Sequence, residues 1–258
     1  MALGANETRM PFCATKEPSE ELVKFHQYFS KHEGMARRSE PLSEIEVGVW
    51  VHVVVPARDN SSNVAYITLK VLNVAFAPAA ISFHLLGADR TYNAGWATGH
   101  DGRSMKKALY KGGQDRLNIY IVEKPFANED DITGYTILPS HLWGTHDGIV
   151  IRASTIPGAV HEDINTDGKS YLWDGYRAGV VLVHETSHWF GLLHTFEGND
   201  CDGPGDYVDD TPAQKEATGV CGIRKDSCPG SPGQDPANNY MDYLPEFVTP
   251  TESERKSN

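Results

Sequence analysis

The sequence predicts an α/β chain of the α+β kind: a mixed, mostly parallel sheet with helices on it, then a smaller irregular C-terminal lobe. Three observations predict this. Runs rich in β-branched residues alternate with helical stretches between Val47 and Ala153. A long helical stretch, Tyr176 to Leu193, follows them. Beyond His194 the composition shifts to Gly, Pro, Asp and Cys as far as Asn239, which marks a lobe with little regular structure.

The elements follow in order. Residues 19–33 read as an amphipathic helix, with Ser19 as N-cap, acidic residues in the first turn and Gly34 as the stop. Met35 to Pro41 contains Arg37-Arg38-Ser39 and reads as an exposed linker open to proteolysis. Val47 to Val55 is a β-rich run closed by Pro56, fit for a central strand. Asn63 to Phe76 is helical and Pro78 ends it. Strands are expected at Ile81–Leu86, Arg116–Val122, Gly134–Leu138 and Gly148–Ala153, with a short helix at Ser104–Tyr110 before Gly112-Gly113.

A chain of 258 residues, 40% hydrophobic and 10% aromatic, can bury a substantial core as one large domain or as two lobes around a cleft. Its 23 basic and 35 acidic residues give a net charge of −12, which argues against nucleic acid or an anionic membrane as partner. No run of 18 apolar residues occurs, so no membrane-spanning helix is expected. Met1 to Glu7 has neither a basic n-region nor an apolar h-region, so it does not read as a signal peptide. Two glycosylation triplets, at Asn6 and Asn60, would matter only after secretion. The four cysteines, 13, 201, 221 and 228, permit two disulfides in three connectivities.

The chemistry concentrates in one stretch, His184-Glu185-Thr186-Ser187-His188-Trp189-Phe190-Gly191-Leu192-Leu193-His194. It reads H-E-x-x-H-x-x-G-x-x-H. Residues four apart on a helix share a face, so His184 and His188 can meet one metal ion. Gly191 can take a positive φ, end the helix and let the chain bring His194 to the same ion. Three neutral imidazoles leave one position open for water, the arrangement of a catalytic zinc rather than a structural one. Glu185 stands where its carboxylate can reach that water as general base and then general acid. In a chain of this composition the full pattern arises by chance about once in ten thousand sequences. The competing reading is a buried helix whose histidines are satisfied by hydrogen bonds.

This motif resembles that of the metzincin metalloproteases. Gly205-Asp206-Tyr207-Val208-Asp209-Asp210-Thr211-Pro212 and Asn238-Asn239-Tyr240-Met241-Asp242-Tyr243, with Cys201, Cys221 and Cys228, narrow the likeness. Together they resemble the pappalysin-type family, and most its secreted fungal branch of extracellular metalloproteases. The resemblance runs from about Val47 to the C-terminus and is strongest from Asp147 to Tyr243.

The resemblance implies a metzincin-like zinc protease that is secreted, monomeric and active on polypeptides. It implies a catalytic domain over residues 41–258, with lobes 41–191 and 192–258 around the cleft. Met241 matches the Met-turn, the apolar floor beneath the zinc. Tyr243 matches a tyrosine near the zinc that stabilises the oxyanion or visits the metal; a packed aromatic is the alternative. A Cys201–Cys228 disulfide is implied, and Cys221 is left without its family partner, because Tyr243 to Phe247 holds no cysteine. Asp206 and Thr211 match positions that bind structural calcium in some members, and a capped polar turn is the alternative. Asp163-x-Asn165-x-Asp167-Gly168 with Asp174 mimics a calcium loop, but no helix precedes it and it reads as a surface loop. Arg9 to Thr15 resembles the family's pro-segment pattern, with Ala14 in place of glycine. Cys13 would then be a thiolate ligand that displaces the catalytic water, with residues 1–40 as pro-segment; a free or disulfide-bonded cysteine is the alternative. Substrate is expected antiparallel along an edge strand, for which Gly148–Ala153 is the expected run. The other function compatible with these residues is an inactive or weakly active zinc-binding relative that binds peptides.

Overall fold

The computed structural model describes residues 13–36, 43–57, 64–129, 132–140, 144–157, 179–218 and 225–243. The elements are α1 (Glu20–Ala36), β1 (Ile45–Val55), α2 (Val64–Phe76), β2 (Ile81–Tyr92), α3 (Ala94–Ala97), α4 (Gly102–Leu109), β3 (Arg116–Val122), β4 (Gly134–Thr136), β5 (Ile149–Arg152) and α5 (Val180–Trp189).

The strands form one five-stranded sheet in the order β2-β1-β3-β5-β4. β1 pairs parallel with β2 and β3, and β3 pairs parallel with β5. Only β4 runs antiparallel, along β5. A mostly parallel sheet is buried on both faces, which explains why β1 is largely apolar, with His52 the buried polar exception. Alternate residues divide between two layers. Val47, Val49, Val51, Leu117, Ile119, Ile121, Ile149 and Ile151 pack with Leu69 and Leu72 of α2 and with Val181 and Leu182 of α5. The intervening positions Val54, Tyr120, Val122 and Val150 pack with Ala97 of α3 and Met105 of α4.

Several boundaries differ from the sequence reading. β2 continues six residues past Leu86, because the register with β1 shifts between Val49 and Trp50 and Gly87 admits the Trp50 ring. A Cβ at Gly87 would lie 2.4 Å from that ring. The apolar pattern breaks there, so the strand looked shorter than it is. α4 starts at Gly102 because the Asp101 side chain accepts from Ser104 N at 3.0 Å, which makes Asp101 the cap. α3 went unread; Asn93 caps it by accepting from Trp96 N.

The expected substrate-binding strand is corrected. Gly148–Ala153 contains β5, which has β3 on one side and β4 on the other and offers no free edge. The edge on that side is β4, and Gly134 lies at its start. Three apolar residues in a row, 149 to 151, mark a strand buried between neighbours, whereas β4 is only three residues long and lies at the edge of the sheet.

Past Leu193 the described residues hold no strand and a single 3₁₀ turn at Glu197–Asn199. Side chains organise this lobe instead. Asp242 accepts from Thr218 N at 2.9 Å and from Gln214 Nε2 at 3.1 Å, and Asp235 accepts from Ser227 N at 2.9 Å. A Cys201–Cys228 disulfide with Cα atoms 5.5 Å apart ties the ends of the lobe's first loop, as the resemblance implied. Cys221, the Asp163–Asp174 loop and Arg37–Ser39 lie outside the described residues.

Candidate metal centre

α5 is buried along its whole second half, and it carries His184, Glu185 and His188 against the sheet. Its end is built as the spacing requires. Gly191 has φ 96°, its N–H donates to His188 O at 2.8 Å, and Leu192 N–H donates to Ser187 O at 3.0 Å. This pair of bonds is a Schellman closure, which needs a left-handed residue and so a glycine. The helix therefore stops at Trp189, short of the expected Leu193, and the chain doubles back with His194.

The three imidazoles converge. His188 Nε2 is 3.1 Å from His184 Nε2 and 3.0 Å from His194 Nε2. His184 Nδ1 donates to Tyr240 O at 2.6 Å and His188 Nδ1 donates to Leu192 O at 2.7 Å. Carbonyls only accept, so those rings carry their hydrogens on Nδ1 and turn bare Nε2 lone pairs towards one another. Burial, then the neighbouring imidazoles, pushes His184 down to about 3; burial takes His194 down to about 4, and His188 falls well below its usual range. Neutral rings with facing lone pairs are a repulsive arrangement unless a cation lies among them, so the donor set fits a metal ion. The His184 bond to the Tyr240 carbonyl anchors the turn holding Met241, which is buried and whose carbonyl accepts from Thr195 N at 3.3 Å.

A fourth donor is present. Cys13 Sγ and the three histidine nitrogens all lie within 4.8 Å of one another. Cys13 is buried and unpaired. It bridges to Gly134 in parallel, Ala14 N donates to Gly134 O at 3.1 Å, and Thr136 N donates to Thr15 Oγ1 at 2.9 Å. Residues 13–15 thus run along the free edge of β4.

Glu185 is fully buried, and burial pushes its carboxyl up to about 7. Thr136 Oγ1 donates to its Oε2 at 2.7 Å and Thr15 Oγ1 does so at 3.2 Å. Tyr243 OH lies 3.1 Å from His194 Nε2 and donates to Cys13 O at 3.4 Å. Its ring stands edge-on to those of His194 and Phe196. Asp206 and Thr211 are also brought together: the Asp206 carboxylate accepts from Val208 N at 3.0 Å and from the Thr211 hydroxyl, a turn that already satisfies itself.

Sequence reasoning missed the second layer. Gly134 and Thr136 around Glu185 carry no motif, and the Arg9–Thr15 pattern does not announce that Thr15 reaches Glu185. Asp147 accepts from Trp189 Nε1 at 3.0 Å and from Gly148 N at 2.6 Å, pinning α5 to the start of β5. Lys106 is buried behind the site, donating to Gly148 O at 2.7 Å and to His146 O at 3.3 Å. In the sequence it is an ordinary lysine on a short amphipathic helix.

A parallel sheet with one antiparallel edge strand, a helix beneath it bearing two histidines and a glutamate, and a third histidine past a glycine turn define a metalloprotease. Comparison with known proteins agrees. The M43 peptidase family model, described as pregnancy-associated plasma protein-A, matches residues 162–253. An extracellular metalloprotease of Pyricularia oryzae is 38% identical over 263 residues, covering 95% of this chain and 87% of that protein. Mature mirolysin of Tannerella forsythia, solved in complex with a cleaved peptide, superposes with TM-score 0.58 at 25% identity over 80% of this chain and 86% of that one. A promirolysin variant gives TM-score 0.63 at 24% identity over 92% and 88%. The chain belongs to the pappalysin-type family of metalloproteases. No helix among the described residues is long and apolar enough to cross a membrane.

Proposed function

We propose that this chain is a secreted zinc endopeptidase made as a latent precursor. The observation that carries the reading is the convergence of three Nε2 atoms within hydrogen-bonding distance of one another beside a buried Glu185. His184, His188 and His194 would hold one zinc ion, which supplies Lewis acidity to the scissile carbonyl and lowers the pKa of water from about 15.7 towards 7. Glu185 takes a proton from the attacking water and passes it to the departing amine, general base and then general acid. Tyr243, with its hydroxyl beside His194, is aimed at the oxyanion. The extended polypeptide substrate pairs with the free edge of β4 by main-chain hydrogen bonds. A cleaved peptide in mature mirolysin is in keeping with a polypeptide substrate.

Latency follows from what now lies on that edge. Residues 13–15 run parallel to β4, opposite in direction to the expected substrate, and place Cys13 Sγ among the histidines. α1 holds the segment in place: Leu22 is buried, His26 Nε2 donates to Gly191 O at 2.9 Å and Ser30 Oγ donates to Asp209 Oδ1 at 2.9 Å. Residues 1–40 would form the pro-segment, released by cleavage near Arg37-Arg38. Secretion is supported by the relative named as an extracellular metalloprotease. A calcium ion on Asp206 and Thr211 would tighten the second lobe and take no part in the chemistry.

The test is cleavage of casein by the protein trimmed near Arg38. Activity abolished by a chelator and restored by zinc upholds the reading. Chelator-insensitive cleavage, or none after trimming, overturns it.

A further inference from the structure

β4 has only three paired residues, yet two of them close on the same carboxylate. Gly134 and Thr136 are two apart and share one face of the strand, while Tyr135 turns the other way, its ring 5.0 Å from the Lys106 amine. On the first face, Thr136 Oγ1 lies 2.7 Å from Glu185 Oε2 and 2.8 Å from Glu185 O. At Gly134 a Cβ would meet Glu185 Oε1 at 2.9 Å and Glu185 Cγ at 3.0 Å. The carboxylate is thus held by a hydroxyl at one oxygen and fitted against bare backbone at the other. Glu185 Oε1 is buried with no hydrogen-bond partner among the described residues, the oxygen left for a reacting group.

We propose that Gly134 and Thr136 form a carboxylate clamp, and that Thr136 is the positioning residue that sets the orientation of Glu185 for catalysis. This rests on Glu185 being the general base. Two other side chains now reach the carboxylate, Thr15 and Cys13, and both belong to the N-terminal segment. When that segment leaves, Thr136 remains the side-chain donor on Oε2. A hydroxyl both donates and accepts, so it keeps a bond to that oxygen whichever partner carries the hydrogen. Threonine does this with little freedom, because its branched Cβ restricts χ1. The same strand therefore does two things: its free edge binds the substrate main chain and its inner face fixes the base. Substrate affinity runs through Thr136 N–H, and turnover through Thr136 Oγ1.

The test compares trimmed wild type with Thr136→Val, Thr136→Ser, Gly134→Ala and Glu185→Ala on fluorescein-labelled casein. kcat and KM are separated, and zinc content and thermal midpoint are recorded for each. The clamp predicts that Thr136→Val loses about 10- to 100-fold in kcat, the scale of a mispositioned catalytic group, with KM and zinc content unchanged. Thr136→Ser keeps the hydroxyl and stays within about threefold. Gly134→Ala lowers kcat with zinc retained. Unchanged kcat in Thr136→Val, with Glu185→Ala inactive, overturns the clamp and leaves the general base standing. A loss shared equally by the serine variant, or carried by KM or zinc content, overturns it too, since that is a packing effect. An active Glu185→Ala removes the general base itself. Should Thr136→Val not accumulate folded, Thr136→Ala against Thr136→Ser asks the same question, because both lack the methyl and differ in the hydroxyl alone.

Discussion

Lys106→Met gives a prediction whose size follows from the structure. The Lys106 amine is buried behind the site, and burial lowers it from its ordinary 10.5 to about 7. The charges that face it are Asp147, which burial raises to about 6, and Glu185; Tyr120 and Tyr135 present their rings to it. Between pH 7.5 and 9.5 the unfolded lysine is protonated while the folded one has largely lost its proton. The unfolded state binds more protons, so stability rises with pH across this window. Integrating over two pH units gives wild type about 2 kcal/mol of stability that the methionine variant cannot gain. Both carboxyls are largely ionised throughout, so the lysine dominates the difference. The assay is urea unfolding of both proteins at matched metal loading from pH 7.5 to 9.5. The wild type should gain about 2 kcal/mol on the variant towards high pH. A difference that stays constant across the window would refute a neutral buried amine.

Three further outcomes are expected. Cys13→Ser should give casein cleavage by the untrimmed chain, because a serine hydroxyl is a far weaker zinc ligand than a thiolate; a precursor as silent as wild type would remove the switch. Gly191→Ala forces a φ of 96° on a residue with a Cβ and should cost about 1–2 kcal/mol, read as a fall of several degrees in thermal midpoint, and should weaken zinc binding through His194. Tyr243→Phe should lower kcat at least about tenfold with zinc content unchanged, as loss of an oxyanion donor does; unchanged kcat would reduce Tyr243 to a packed aromatic.

What the sequence made legible depended on how local the physics is. The helix holding His184 and His188, its closure at Gly191 and the return of His194 follow from spacing and from one glycine, so they could be read directly. The strands β1 and β3 were legible because burial on both faces leaves them rich in β-branched and other apolar residues, interrupted by the buried polar His52 and Asn118. The edge was not. Which strand is outermost depends on pairing between distant segments, and the apolar β5 attracted the substrate-binding role proposed for the three-residue edge strand β4. Thr136 and Gly134 are silent for the same reason: their meaning arises only when β4 lies over α5. Lys106 and Asp147 are ordinary polar residues until the sheet and α4 enclose them. In the second lobe, cysteines and turn residues announced irregularity, yet not that Asp242 and Asp235 would organise it.

Zinc binding and base catalysis are tested together by measuring zinc content and casein turnover for trimmed wild type, Glu185→Ala and His188→Ala. A zinc site on three histidines with Glu185 as the base should give one zinc per chain in wild type and in Glu185→Ala, turnover only in wild type, and a loss of both zinc and turnover in His188→Ala. Turnover in Glu185→Ala above about 1% of wild type, or full zinc in His188→Ala, would contradict it.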